Sequence, residues 1–221
     1  MSSDNETLAL QASDLALTSA IISDALDEIG HRNQVLRCGL SALVEGTRLF
    51  GRATTVHFIE SNVESDSPYD DAMIFVDSLR VGDVAVVATD ANRSTAFWGE
   101  LFSAAAIGRG AVGVVTDGSI RDKAKVQALG FGVFCAGTLP IDYRARMAID
   151  AMGSGVVVGG VGIDQGDLIL ADDDGVVVIP HIVEEQVINL ARARATTETI
   201  VLTQLLHGAT LRQVWDSYRV L

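Results

Sequence analysis

The sequence is poor in cysteine and proline, and both shortages limit what kind of protein it can be. Its two cysteines, Cys38 and Cys135, lie at unrelated positions and form no CxxC pair, so no disulfide framework is indicated. Only three prolines occur and 48% of the residues are hydrophobic, which excludes an intrinsically disordered chain. We expect both cysteines to be reduced, small side chains in a globular core.

Long hydrophobic runs are also missing. No apolar segment approaches the roughly 18 residues that a membrane-spanning helix requires. The first ten residues, MSSDNETLAL, are acidic and lack the basic segment followed by an apolar one that marks a signal peptide. The sequence therefore predicts a cytoplasmic protein with no membrane partner.

Positive charge is scarce. The chain has 16 Lys and Arg against 29 Asp and Glu, for a formal net charge of −13, and no basic stripe interrupts this excess. Such a chain repels phosphate backbones, so we expect no nucleic-acid partner. A small anionic ligand is still compatible, because it needs only one or two local arginines and some backbone amides.

The middle of the chain alternates buried strands with short helices that end at glycines. The pattern predicts strands at residues 84–88, 112–116 and 131–135, and helices at residues 101–109 and 122–129. This βαβαβ order requires a parallel sheet with right-handed crossovers. The class is therefore α/β.

The flanking regions predict further elements but no linker. We expect helices at residues 15–29, 71–78, 182–204 and 211–218, a strand at 51–60, a polar loop at 61–71, and a more antiparallel layer at 156–158, 168–171 and 176–179. No stretch is rich enough in Pro, Gly or Ser to divide the chain. We therefore interpret residues 1–221 as one domain with C-terminal helices.

Three charged residues are predicted to meet at one edge of the parallel sheet. Glu100 precedes the first crossover helix, and Arg121 and Asp122 precede the second. Ligands of open α/β sheets bind at the carboxyl ends of the strands, where these residues fall. The guanidinium matches a carboxylate, the first amides of a helix donate to an anion, and carboxylate oxygens suit Mg²⁺. Together they would bind a 2-oxo acid beside a divalent metal.

Each of these residues also has a structural interpretation. Asp122 is a favoured helix N-cap, Glu100 would interact well with a helix dipole, and Arg121 could pair with either carboxylate. Only their joint position favours a functional site.

Competing chemistries find little support. The chain's two lysines, Lys123 and Lys125, fall in a short exposed helix and are interpreted as solvated, which argues against a Schiff-base aldolase. The four histidines show no zinc-ligand spacing, although His57 lies within a strand. Residues 159–166, GGVGIDQG, lack nucleotide-loop spacing and are interpreted as a tight turn.

The segment from Gly99 to Phe102, followed by DGSIRD at residues 117–122, resembles the signature of the RraA-like, class II (metal-dependent) pyruvate aldolase family. Residues 23–30, 49–56 and 160–180 are also similar to family segments, so the resemblance covers nearly the whole chain. It implies a swivelling β/β/α-type domain. It also implies a lyase that cleaves 4-hydroxy-4-methyl-2-oxoglutarate-type acids to pyruvate or decarboxylates oxaloacetate. The alternative within the same resemblance is a non-catalytic, protein-binding regulator of a ribonuclease.

The resemblance further implies roles for individual residues. Arg121 would bind the substrate carboxylate with the help of Gly99 and the amides of Leu101 and Phe102. The metal, Mg²⁺ or Mn²⁺, would be held by Asp122, by Glu100 through water, and by a glutamate of a neighbouring subunit that matches Glu198 loosely. A homotrimer or hexamer is implied.

Two residues depart from the family pattern. Glu100 stands where many aldolases have aspartate, and Lys125 stands where an acidic residue is frequent. A non-catalytic relative has no need of a metal ligand at Asp122, so the retention of both acidic residues favours an enzyme.

Overall fold

The computed structural model describes residues 16–37 and 39–221 of the chain. The helices are α1 (Ser19–Glu28), α2 (Asp70–Ser78), α3 (Glu100–Arg109), α4 (Lys123–Leu129), α5 (Glu184–Leu206) and α6 (Leu211–Tyr218). The strands are β1 (Ser41–Ala42), β2 (Leu49–Glu60), β3 (Asp83–Ala88), β4 (Ala96–Trp98), β5 (Gly113–Ile120), β6 (Gly132–Thr138), β7 (Met147–Met152), β8 (Val156–Val158), β9 (Val161–Ile163), β10 (Leu168–Asp172) and β11 (Gly175–Ile179).

The central strands form the parallel sheet that the sequence predicts. β3 pairs in parallel with β5, and β5 with β6, so the βαβαβ unit is confirmed. β2 extends the unit, because it pairs in parallel with β3 from Arg52 to His57. These strands are buried along most of their length, as expected for a sheet covered on both faces.

The antiparallel strands belong mainly to the same sheet. The sheet order is β1-β6-β5-β3-β2-β10-β11, with β10 antiparallel to both β2 and β11. The prediction of antiparallel strands after residue 155 is confirmed, but β10 and β11 continue the parallel sheet. β8 and β9 alone form a separate hairpin. Its turn residues, Gly159 and Gly160, have φ of 58° and 81°, which suits a two-residue hairpin. The segment interpreted as a tight turn, residues 159–166, therefore contains such a turn, but strand β9 also lies within it.

Alternating residues of β3 supply two sides of the core. Ala85 and Val87 pack with α2, α3 and α4, whereas Val84 and Val86 pack with β8, β9 and β11. A third cluster places α1 and α5 against β10 and β11. Helices therefore cover the sheet in two places, which confirms a mixed α/β domain with C-terminal helices.

Several element boundaries differ from the predictions. The helix predicted at 15–29 is observed as α1, whose first turn is capped by the Thr18 hydroxyl accepting from Ile21 N at 3.2 Å, and Leu15 lies outside the described residues. The strand predicted at 112–116 continues to Ile120. The helix predicted at 182–204 begins at Glu184 after a short 3₁₀ turn, His181–Val183.

Two expectations about individual positions can be compared with the fold. Cys135 is buried and unpaired, as predicted, whereas Cys38 lies outside the described residues. Within residues 16–37 and 39–221, no helix is long and apolar enough to cross a membrane.

Candidate active site

A short strand that sequence reasoning missed brings the predicted site residues together. β4 pairs in parallel with β5, with Trp98 opposite Ile120, and the Arg121 amide donates to the Trp98 carbonyl at 2.8 Å. The chain therefore leaves β4 at Gly99 and β5 at Arg121, and these two positions lie side by side. The predicted convergence occurs at the carboxyl edge of the sheet, through β4.

Gly99 allows the two strand ends to approach closely. A β-carbon at this position would lie 2.8 Å from Asp122 Oδ2, closer than real β-carbons approach, and 3.0 Å from Arg121 Cγ, which is tighter than most real contacts. Its φ of −166° is ordinary extended backbone, so space rather than conformation requires glycine here. The contact makes Gly99 part of the surface against which both charged side chains rest.

Asp122 does not cap the helix that follows it. It occupies the N-cap position of α4, but its backbone is left-handed, with φ 58° and ψ 33°, and its side chain makes no capping hydrogen bond. Instead the carboxylate accepts from the Glu100 amide at 3.4 Å and lies 3.8 Å from Arg121 Nε. A non-glycine residue in this conformation costs about 1–3 kcal/mol. The capping interpretation is therefore wrong, and the strained backbone turns the carboxylate toward Glu100 and Arg121.

Asp142 positions Arg121 and was not predicted. Arg121 Nη1 donates to Asp142 Oδ2 at 2.5 Å, and the Tyr69 hydroxyl donates to the same oxygen at 3.3 Å. Asp142 precedes β7 in an irregular segment, so no periodic pattern could place it beside β5. A single bridge to Ala96 anchors that segment to β4. The fixed guanidinium keeps its remaining donors for a ligand.

Lys125 is not merely a solvated charge, as the sequence interpretation had it. Its Nζ donates to Glu100 Oε2 at 2.8 Å, although the lysine side chain remains 67% exposed. This hydrogen bond, together with the charge of Glu100, raises the pKa of Lys125. The first turn of α4 therefore brings the Lys125 ammonium into contact with the Glu100 carboxylate, which was predicted to hold metal-bound water.

Helix α3 begins at Glu100, not after it as predicted, and presents free amides at the site. The first intrahelical bond runs from the Ser103 amide to the Gly99 carbonyl at 3.0 Å. The amides of Leu101 and Phe102 come before this bond, so the helix itself gives them no acceptor. Both lie where the sequence placed anion-binding donors.

A cavity of about 450 Å³ is lined by all six predicted residues of this edge: Gly99, Glu100, Leu101, Phe102, Arg121 and Asp122. The rest of its lining comprises Tyr69, Met73, Phe97, Lys125 and Tyr143. Tyr69 belongs to the polar loop predicted at 61–71, so this loop contributes to the cavity lining. Burial raises the pKa of Tyr143, whose hydroxyl donates to the Pro68 carbonyl at 3.0 Å. Trp98 is buried in the core and does not line this cavity.

The carboxylates available for a cation are few. Across residues 16–37 and 39–221, no three His, Cys, Asp or Glu side chains gather into a metal-binding group. Glu100 and Asp122 nevertheless fit a hard cation such as Mg²⁺, which keeps several waters and requires only one or two carboxylates. Glu198 lies on α5 and accepts from Arg194 Nε at 3.0 Å. Its predicted place at the site of a neighbouring subunit stays a prediction.

Known proteins resemble this chain in sequence. Residues 19–178 match the RraA-like family, described as Aldolase/RraA. Protein DlpA of Legionella pneumophila is 29% identical over 200 residues, which are 90% of this chain but 32% of DlpA, so this chain spans about a third of that relative. A protein of Halalkalibacterium halodurans named "Putative 4-hydroxy-4-methyl-2-oxoglutarate aldolase" is 31% identical over 178 residues, or 80% of each chain.

Solved structures share the fold. An uncharacterized protein from Pseudomonas syringae pv. tomato has a TM-score of 0.82 at 30% identity, covering 93% of this chain and 92% of its own. RraAS2 of Streptomyces coelicolor, an unusual member of the RNase ES inhibitor RraA protein family, has a TM-score of 0.76 at 29% identity, covering 86% and 93%. The sequence match at residues 19–178 includes the cavity edge at Gly99 and Arg121, and the chain therefore belongs to the RraA-like (aldolase/RraA) family.

Proposed function

We propose that this protein is a divalent-metal-dependent lyase that cleaves 4-hydroxy-4-methyl-2-oxoglutarate-type 2-oxo acids to pyruvate, decarboxylates oxaloacetate, or does both. The observation that carries the proposal is the backbone of Asp122. Its carboxylate does not cap α4, and the left-handed conformation directs it to the cavity edge where Arg121 and Glu100 lie. Strained backbone conformations cluster at functional sites. The names of the aldolase relatives support the same reaction class.

Arg121 is assigned to the substrate carboxylate. Asp142 holds Nη1 on one side of the guanidinium, so the arginine is oriented before substrate arrives. A fixed planar fork forms paired hydrogen bonds with a carboxylate and loses little side-chain entropy in doing so. The amides of Leu101 and Phe102 add donors that cost no reorganisation. These groups would orient the 2-oxo acid with its carbonyl near Asp122.

Asp122 and Glu100 are assigned to the cation, Mg²⁺ or Mn²⁺, which Asp122 would hold directly or through water and Glu100 would hold through water. When bound, a divalent cation supplies Lewis-acid stabilisation for negative charge on the carbonyl oxygen. We also assign to Glu100 the acceptance of the proton that leaves the C4 hydroxyl in cleavage, and its return to carbon. Lys125 must release Glu100 for this role, since the two are paired at 2.8 Å.

The second candidate is a non-catalytic regulator that binds a ribonuclease. The fold shared with RraAS2, at a TM-score of 0.76, favours it. Such a protein would need neither the strained Asp122 nor the ordered Arg121. A homotrimer or hexamer, proposed for either function, would bring Glu198 of one copy toward the site of the next.

Pyruvate release distinguishes the two candidates. The purified protein is incubated with oxaloacetate and with 4-hydroxy-4-methyl-2-oxoglutarate, first with Mg²⁺ and then with excess chelator. Pyruvate that forms only with metal is the expected result. No pyruvate from either compound, with folded protein and supplied metal, would favour the regulator.

A further inference from the structure

Among the described residues, two cationic side chains line the cavity, and two carboxylates separate them. Asp122 Oδ2 lies 3.8 Å from Arg121 Nε and accepts from the Glu100 amide at 3.4 Å. Glu100 Oε2 in turn accepts from Lys125 Nζ at 2.8 Å. Arg121 and Lys125 therefore lie at the two ends of a row of contacts along the lining, with the proposed cation site between them.

Lys125 is held less firmly than Arg121. Arg121 donates to the Asp142 side chain, of which 23% is exposed. The Lys125 side chain is 67% exposed, and its partner Glu100 is 34% exposed. Exposed ion pairs contribute little stability, and the lysine ammonium is a point charge on a flexible stem. Lys125 can therefore exchange Glu100 for another carboxylate at small cost.

Cation binding at Asp122 and Glu100 would favour this exchange. A divalent cation and an ammonium repel each other when they share one carboxylate. A Glu100 side chain that holds metal-bound water is therefore a poorer partner for Lys125 than the same side chain without the cation. The released ammonium would gain from a new anion beside it, and a carboxylate of the substrate supplies one in a charge-assisted hydrogen bond.

The roles assigned to Arg121 and Glu100 determine where this carboxylate must lie. With the C1 carboxylate at Arg121 and the C4 hydroxyl donating its proton to Glu100, C4 of the substrate would lie beside Glu100. Lys125 Nζ is 2.8 Å from Glu100 Oε2, so a carboxylate on C4 would lie within reach of the ammonium. A substrate with a methyl group in its place would offer Lys125 no anion.

We propose that Lys125 binds the second carboxylate of a dicarboxylic 4-hydroxy-2-oxo acid once cation binding has released its ammonium from Glu100. This inference rests on the proposed lyase function and names a residue that selects dicarboxylic substrates. In the cleavage, the bond between C3 and C4 breaks, the C4 hydroxyl loses its proton, and C4 becomes a carbonyl carbon. The bonding electrons pass to C3, which takes up a proton to give pyruvate. The carboxylate on C4 is unchanged, so Lys125 binds it in substrate and product alike.

The test compares 4-hydroxy-4-methyl-2-oxoglutarate with 4-hydroxy-4-methyl-2-oxopentanoate, in which a methyl group replaces the second carboxylate. Pyruvate release by wild type and by Lys125→Gln is measured at saturating Mg²⁺. The two compounds differ in intrinsic reactivity, but this difference is the same for both proteins and cancels. We expect the ratio of kcat/KM, carboxylate over methyl compound, to fall about 5-fold or more in Lys125→Gln, because one charge-assisted hydrogen bond is lost.

Two further variants assign the effect to this ammonium. Lys123→Gln removes the same charge from an exposed residue of α4 that does not line the cavity, and should leave the ratio unchanged. Lys125→Arg keeps a cation at the position and should retain most of the preference. A ratio that falls equally in Lys123→Gln and Lys125→Gln, or in neither while pyruvate still forms, overturns this inference and leaves the lyase intact. No pyruvate from either compound with wild type overturns both.

Binding gives a readout that is independent of turnover. 2-Oxoglutarate and 2-oxopentanoate differ by the same replacement of a carboxylate by a methyl group, and neither has the C4 hydroxyl that cleavage requires. Calorimetry with wild type should give 2-oxoglutarate the lower Kd. Its advantage should be about 3-fold or more larger with Mg²⁺ than with chelator, because cation binding releases the ammonium, and Lys125→Gln should lose this dependence. An advantage that is equal with and without Mg²⁺ would overturn the proposed release of Lys125.

Discussion

At the cavity edge, two residues lie in positions that are locally unfavourable but bring charged side chains into close contact. Asp122 adopts a left-handed backbone without capping α4, and Gly99 leaves no room for a β-carbon beside Asp122 and Arg121. Neither arrangement improves the fold locally. Both bring a carboxylate and a guanidinium to one cavity, and this is the reason to regard the edge as a site rather than as a helix start.

Asp122→Gly should separate stability from activity. Glycine adopts φ 58° without strain, and the variant loses only a long 3.4 Å hydrogen bond from the Glu100 amide and a 3.8 Å ion pair with Arg121 Nε. The free energy of unfolding should therefore rise by about 0.5–1 kcal/mol. Pyruvate release should be lost, because the carboxylate is removed. Ala145→Gly, at φ 56° and outside the cavity lining, should stabilise similarly with normal activity. Urea unfolding and pyruvate assays measure both; a destabilised Asp122→Gly would show that the carboxylate serves the fold.

Gly99→Ala should impair the site while the fold persists. The added methyl would displace Asp122 or Arg121, and misplacement by about 1 Å can cost roughly 100-fold in rate. Gly108→Ala is the control, because Gly108 lies on the exposed side of α3 with open space around it. That variant should keep full activity and gain about 0.5–1 kcal/mol of stability. Normal kcat/KM in Gly99→Ala would remove the proposed role of the close contact.

Lys125→Gln should strengthen cation binding. The Lys125 ammonium is paired with the Glu100 carboxylate, and exposed ion pairs of this kind are weak. Loss of the ammonium should therefore lower the Kd for Mg²⁺ only about 2- to 5-fold. Lys123→Gln removes the same charge two residues away and controls for the net charge. Calorimetric titration measures both, and an unchanged Kd in Lys125→Gln would mean that the pair does not compete with the cation.

Some of these site residues could be predicted from the sequence, and others could not. Arg121, Asp122 and Glu100 could be found because they border strands and helices with clear periodicity. Asp142 could not, since it lies in an irregular segment whose position depends on tertiary contacts. The pairing of Lys125 with Glu100 was missed for a similar reason: the two are 25 residues apart, and only the packing of α3 beside α4 brings them together.

Among the elements, β4 decides whether the site forms, and a three-residue strand has too little pattern to be predicted. The longer helices and the parallel strands follow directly from apolar periodicity, and their boundaries agree within a few residues. Pairing between distant strands does not follow in this way. The placement of β10 between β2 and β11 depends on register over more than 100 residues of sequence separation.

The ion pairs of His57, which connect β2 to β7 and to the segment after β3, should make the free energy of unfolding depend on pH. His57 of β2 donates to Asp150 of β7 and to Asp90 after β3, at 3.2 Å and 3.1 Å. Burial would lower the pKa of His57, but these hydrogen bonds and the two carboxylate charges raise it above 6.5. The resulting stabilisation is complete below the unfolded-state pKa of about 6.5 and is lost as pH rises through the higher folded-state value.

Urea unfolding of wild type and His57→Gln measures this contribution. The difference in unfolding free energy should be larger at about pH 5.5 than at about pH 8.5. His31→Gln is the control, because His31 forms no ion pair within the described part of the chain. A difference that grows toward alkaline pH would refute the proposed role of protonated His57.

At the scale of the whole molecule, one cavity of an RraA-like domain combines charged residues at its edge with aromatic residues in the rest of its lining. Family membership and the α/β class could be predicted from the sequence because they depend on motifs and on periodicity. The shape of the cavity could not, since its lining comes from four separate segments: residues 69–73, 97–102, 121–125 and 143. The homotrimer or hexamer, the cytoplasmic location and the role of Glu198 remain predictions.

The most direct test of the central claim compares pyruvate release from 4-hydroxy-4-methyl-2-oxoglutarate by wild type and Asp122→Asn. Asparagine keeps the shape of the side chain and tolerates the left-handed backbone, so the fold should survive, as circular dichroism can verify. The account predicts Mg²⁺-dependent pyruvate release by wild type and a loss of roughly 100-fold or more in the variant. Equal rates in the two proteins, or release that excess chelator leaves unchanged, would contradict it.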